Sequence, residues 1–155
     1  MKKKMDKIHF WTNFLGIGMA IVAGIAYFGE EYKHHMLGLL SASKMDILSF
    51  GEKMKVYVAL FFLTLFPRGL VIIPYLIPTV LLLCVLLIFR KQTASKSKKF
   101  FVVILYFLMS AVSFAFSFMF FYMPVANVIF CIAGIVQVIC GVAKLACYII
   151  EKKLI

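Results

Sequence analysis

Arg68, Gln137 and Lys144 are the residues of this 155-residue chain whose positions most invite chemistry, because each lies in or beside a long apolar run. A charged or strongly polar group held away from water is costly, so it is a functional suspect by default. Arg68 sits between Pro67 and Gly69, with Pro74 and Pro78 beyond it. Proline removes a helical hydrogen bond, and broken helices with polar residues recur where transporters hold their solutes. The simpler expectation is that Arg68 opens a span and reaches up to head-group phosphates. Lys144 follows an apolar run long enough to bring it close to the far interface. Gln137 lies deeper and is expected to bond another helix.

Other reactive side chains carry less. His34 and His35 stand near Glu30 and Glu31, which raises a metal or a proton relay. Adjacent residues do not share a helix face and no third ligand is evident, so a solvated loop is expected, with His9 marking the start of the first span. Cys84, Cys131, Cys140 and Cys147 fall inside apolar runs with no paired CxxC spacing and no neighbouring His. They read as small, packable thiols. No GxSxG, HExxH, P-loop or GxGxxG sequence occurs, and no acid lies inside a span. The expectation is a chain that is not an enzyme, with no metal and no cofactor.

The elements that hold these residues follow from composition. Apolar residues make up 65% of the chain and the mean hydropathy is +1.05, against about 45–50% apolar in soluble domains. A globule of this length has too little interior for them, so lipid is the remaining solvent. The net charge of +11 is gathered at span flanks: Lys2, Lys3, Lys4 and Lys7; then Arg90, Lys91, Lys96, Lys98 and Lys99; then Lys152 and Lys153. Such flanks mark the cytoplasmic side and meet anionic lipid, which is preferred to nucleic-acid binding.

We expect an all-α, polytopic membrane protein, a single domain over 1–155 with four transmembrane helices. The first covers about 8–28, its apolar core being longer than that of a cleaved signal peptide. Residues 29–55 are polar and balanced in charge, with an interfacial segment at about 36–50. The apolar run 56–89 would make a helix of about 51 Å, too long for a hydrocarbon core of roughly 30 Å. Broken at Pro67, it becomes an interfacial segment at 56–66 and a second span at 70–89. The third span is 100–122, and Pro124 suits the first turn of the fourth, at 125–150. Both termini and the 92–99 loop then share one side, N-in and C-in, in what is expected to be a bacterial cytoplasmic membrane.

Between helices in lipid, interfaces show small residues and a few polar groups. Ala126, Phe130, Ala133, Gln137, Cys140, Lys144 and Cys147 follow steps of four and three along the fourth span, with Asn127, Gly134 and Gly141 beside them. Gly16, Ala20 and Gly24 repeat the device on the first span, and Ser110, Ser113 and Ser117 make a polar stripe on the third. These faces suit packing within the chain or against a membrane-protein partner or second copy.

The functional expectation is a membrane anchor or assembly subunit of a larger complex. The layout, though no residue motif, is similar to the membrane modules that precede motor domains in conjugation-type machines, so the chain is expected to be a small accessory protein or such a module. The rival expectation is a small oligomeric transporter or channel, resting on Arg68, Gln137 and the serine stripe.

Overall fold

A backbone in lipid must pair its own N–H and C=O groups, and a chain this apolar answers with helices. The computed structural model describes residues 2–42, 49–60, 62, 66, 70–88 and 96–153, and among them there is no strand. Helix α1 is Lys2–Ala42, α2 is Phe50–Leu60, α3 is Ile73–Ile88, α4 is Lys96–Met119 and α5 is Pro124–Lys153. A 3-10 turn, Leu70–Ile72, leads into α3. Four stretches are long and apolar enough to cross a membrane: Lys4–His34, Leu70–Leu87, Lys98–Met119 and Pro124–Glu151.

Several boundaries differ from the sequence reading. Helix α1 does not end at Phe28 but continues to Ala42, through residues read as loop and into the first expected interfacial segment. No described glycine adopts positive φ, so Gly29 does not close the helix in the left-handed conformation that usually ends one. Glu31 is buried, and the Glu30 carboxylate accepts the backbone N–H groups of Val125 and Ala126 at the start of α5.

Helix α2 begins inside the first expected interfacial segment and runs into the second. Its start is set by Ser49-Phe50-Gly51-Glu52, a capping box in which each side chain serves the other's backbone. Glu52 Oε2 accepts from Ser49 N–H at 2.9 Å and from the Ser49 hydroxyl at 2.8 Å. The Glu52 N–H points back at Ser49 Oγ at 3.4 Å. These bonds hold the Glu52 carboxyl below its ordinary 4.5, the Ser49 backbone bond contributing most.

Helix α4 stops at Met119, three residues before the expected end at Tyr122, because the chain is already turning. Met123 N–H donates to the Phe120 carbonyl at 2.9 Å, and Asn127 N–H to the Met123 carbonyl at 2.8 Å. Pro124 is the first residue of α5, where its missing N–H leaves no bond unmade. Inside α3, Pro78 removes one helical bond.

Helix α5 organises the bundle. It packs along α4 and α1, α4 packs on α3, and α1 meets α3 lightly. Helix α2 makes no comparable contact with any described helix. Ala126, Phe130, Ala133, Gln137, Cys140, Lys144 and Cys147 form the buried face of α5, while Val128, Ile132, Ile135, Ile139 and Val142 are exposed. An aromatic cluster joins all four long helices: Tyr75 of α3 meets Phe130 of α5 edge-on at 4.9 Å, Phe116 of α4 lies 5.4 Å from Tyr75, and Tyr27 of α1 stands 4.9 Å from Phe120.

Close approach explains two glycines. A Cβ at Gly16 would collide with the Tyr106 ring, and one at Gly134 would stand 3.0 Å from the Phe114 ring. Gly141 and Gly24 are less constrained, with the nearest atoms 3.4 Å and 3.9 Å from such a Cβ. Ala20 is fully buried. The small-residue faces of α1 and α5 are therefore filled largely by side chains of the same chain.

Candidate functional site at the lysine-rich end of the bundle

Polar side chains inside the bundle fall into two groups. The first bonds helix to helix. Ser110 donates to the Gly134 carbonyl at 3.0 Å. The Ser113 hydroxyl lies 2.7 Å from Gln137 Oε1 and 2.9 Å from the Met109 carbonyl. Ser117 donates to Asn127 Oδ1 at 2.8 Å. The Tyr106 hydroxyl reaches α1 at the Thr12 carbonyl, 3.1 Å, and at Asn13 Oδ1, 3.0 Å. Bonds of this kind in membranes contribute about 0.6 kcal/mol each on average. Gln137 Nε2 is buried without a hydrogen-bond partner among the described residues.

The second group lies at the end of the bundle where α1 and α4 begin and α3 and α5 finish. Asp6, His9 and Asn13 follow a three–four step on α1, so they share a face. Lys144, Tyr148 and Glu151 do the same on α5, while α4 supplies Lys98, Lys99 and Val102, and α3 supplies Val85 and Leu86. Together these side chains enclose a half-open cavity of about 790 Å³, within the roughly 300–1,000 Å³ typical of ligand pockets.

Its electrostatics are specific. Lys144 is only 6% exposed, and its Nζ lies 3.0 Å from His9 Nδ1 and 3.3 Å from the His9 carbonyl. An ammonium can only donate, so Nδ1 is the acceptor and the imidazole proton sits on Nε2. That Nε2 faces Glu151 Oε1 at 3.8 Å, and the other Glu151 oxygen is paired with Lys99. No carboxylate among the described residues pairs with Lys144. Among the described lining side chains, three ammonium groups, Lys98, Lys99 and Lys144, accompany two carboxylates, Asp6 and Glu151.

Comparison with protein families, curated proteins and solved structures gives no match.

The three polar residues singled out from the sequence are not brought together. Arg68 lies outside the described residues. Gln137 and Lys144 share a face of α5 but stand about 10 Å apart along the axis at 1.5 Å per residue. Gln137 belongs to the packing group, Lys144 to the cavity. Asp6, His9, Lys99 and Glu151, which complete the cavity, were not singled out as site residues. The available signal was the step of seven from Lys144 to Glu151, two helical turns along one face. His34 is exposed. Among the described residues, no group of His, Cys, Asp and Glu is arranged to hold a metal ion.

Proposed function

We propose that this chain is a non-enzymatic integral membrane module that anchors or assembles a larger complex. In this reading it lies N-in and C-in in a bacterial cytoplasmic membrane, with its lysine-rich end at the anionic inner face. The observation that carries it is the length of α1, 41 residues, or about 61 Å. Glu30 is level with the start of α5, so the helix from Tyr32 to Ala42 extends about 16 Å past the bundle. Tyr32, Lys33 and His34 on that arm are exposed. A rigid helical arm beyond the spans suits a partner protein better than a solute. Helix α2, with Phe50, Met54 and Val58 exposed at spacings of four, lies in the outer interface with those side chains towards lipid.

The bonding inside the bundle weighs the same way. A small transporter would need interior polar groups free to meet a solute, whereas Ser110, Ser113, Ser117 and Tyr106 bond helices or their own backbone, the Gln137 amide nitrogen being the exception among the described residues. Site-specific photo-crosslinking in native membranes tests the proposal. A crosslinker at Tyr32 should capture one discrete partner, and one at the exposed Ile135 should not. An uncrosslinked chain at both positions, purifying as a monomer that carries solute flux in liposomes, would sink it.

A further inference from the structure

We infer that the cavity at the lysine-rich end is a binding site for a phosphate monoanion, with the phosphodiester of an anionic phospholipid as its source. The inference starts from Lys144. A buried charge is costly unless it is paired, and among the described residues this ammonium has the neutral Nδ1 and carbonyl of His9 as its hydrogen-bond partners. Glu151 is engaged by Lys99 and faces the other nitrogen of the His9 ring, with no direct contact to Lys144. The side chain lines a half-open cavity whose described lining carries more ammonium groups than carboxylates. One monoanion would complete the pairing.

The shape of the cavity favours the lipid source. Val85, Leu86 and Val102 also line the cavity, apolar contacts that a glycerol backbone and the first acyl carbons beneath a phosphate would use. Its rim is made of the span ends that carry the flanking lysines, the level at which head groups lie. The lipid source rests on the proposed membrane placement, but the site is separate from the α1 arm, so loss of phosphate binding leaves the arm's crosslinking intact and the two failures are distinguishable.

Native mass spectrometry of the full chain in mild detergent tests this, with dioleoyl phosphatidylglycerol, dioleoyl phosphatidylcholine and glycerol 1-phosphate as the probes. Phosphatidylglycerol should bind at least tenfold tighter than phosphatidylcholine. Lys144→Met should weaken it tenfold or more, and Lys144→Arg should retain it. Val102→Trp fills the cavity without touching a charge and should weaken it too, so the test survives if Lys144→Met does not fold. Displacement of the lipid by glycerol 1-phosphate would support the phosphate site and assign it to a soluble ester. Equal binding of the two lipids, or phosphatidylglycerol binding unchanged in both weakening variants, would overturn the inference.

Discussion

The carboxylate of Glu30 stands 2.6 Å from the backbone nitrogen of Ala126, and 3.3 Å from that of Val125. A side chain of one helix thereby caps the start of another almost a hundred residues away. Helix N-termini leave N–H groups without intrahelical partners and favour negative charge, so Glu30 satisfies both requirements at once.

Removing that cap has a measurable cost. Glu30→Ala should lower the unfolding free energy in detergent by about 1 kcal/mol, the usual effect of losing an N-cap. Lys33→Ala, one turn further along and exposed, should change it by less than about 0.5 kcal/mol. Equal effects of the two would show that the cap contributes nothing.

Gly16 and Gly18 offer the same substitution in opposite surroundings. A Cβ at Gly16 enters the Tyr106 ring, which is itself fully buried and tied to Thr12 and Asn13; a Cβ at Gly18 meets nothing within 4 Å. Gly16→Ala should destabilise by about 1–3 kcal/mol through overpacking. Gly18→Ala should be neutral, or stabilise by up to about 1 kcal/mol because alanine loses less backbone entropy in a helix. Thermal unfolding of the two variants in one detergent decides it, and a tolerated Gly16→Ala would break the proposed contact between α1 and α4.

Gln137 is fully buried, yet its amide nitrogen has no partner among the described residues. Gln137→Leu removes that unsatisfied donor and leaves Ser113 with the Met109 carbonyl. Losing one partner of a hydrogen bond is offset by losing an unmade one, so stability should change by less than about 1 kcal/mol. A loss above about 2 kcal/mol would reveal a partner for the amide.

Helix α2 should respond to acid. The Ser49 bonds depress the Glu52 carboxyl, so the ionised form favours the capped helix. A group with a lowered folded pKa contributes above its unfolded value, and the contribution fades as pH falls through the folded one. The protection of amides 50–60 against exchange, relative to the intrinsic rate at each pH, should therefore fall from about pH 4.5 downwards. Glu52→Gln should be less protected at neutral pH, and its protection should not change further in acid. A variant with the parent's acid profile would contradict the capping box.

How much of this the sequence carries differs along the chain. The alternation of small and polar residues on α5 is legible because a helix face repeats every 3.6 residues, and those same residues line its buried side. The extent of α1 is not, because its turns beyond Gly29 depend on where Glu30 finds a partner in space. The capping box at Ser49 was locally readable, and the apolar run beginning at Val56 drew the boundary elsewhere. The cavity was the least accessible. His9 and Lys144 are 135 positions apart, and no spacing along one helix brings them together; the even packing of four spans does.

That packing places the lysine-flanked ends of all four spans around one cavity, and the account depends on their sharing a compartment. Single-cysteine labelling in intact cells, with the four native cysteines replaced, tests it directly. Cysteines at Lys4 and Lys98 should resist an impermeant maleimide until the cells are opened, while one at Tyr122 should react at once. Labelling of Lys4 and Lys98 from opposite sides would contradict the four-span arrangement.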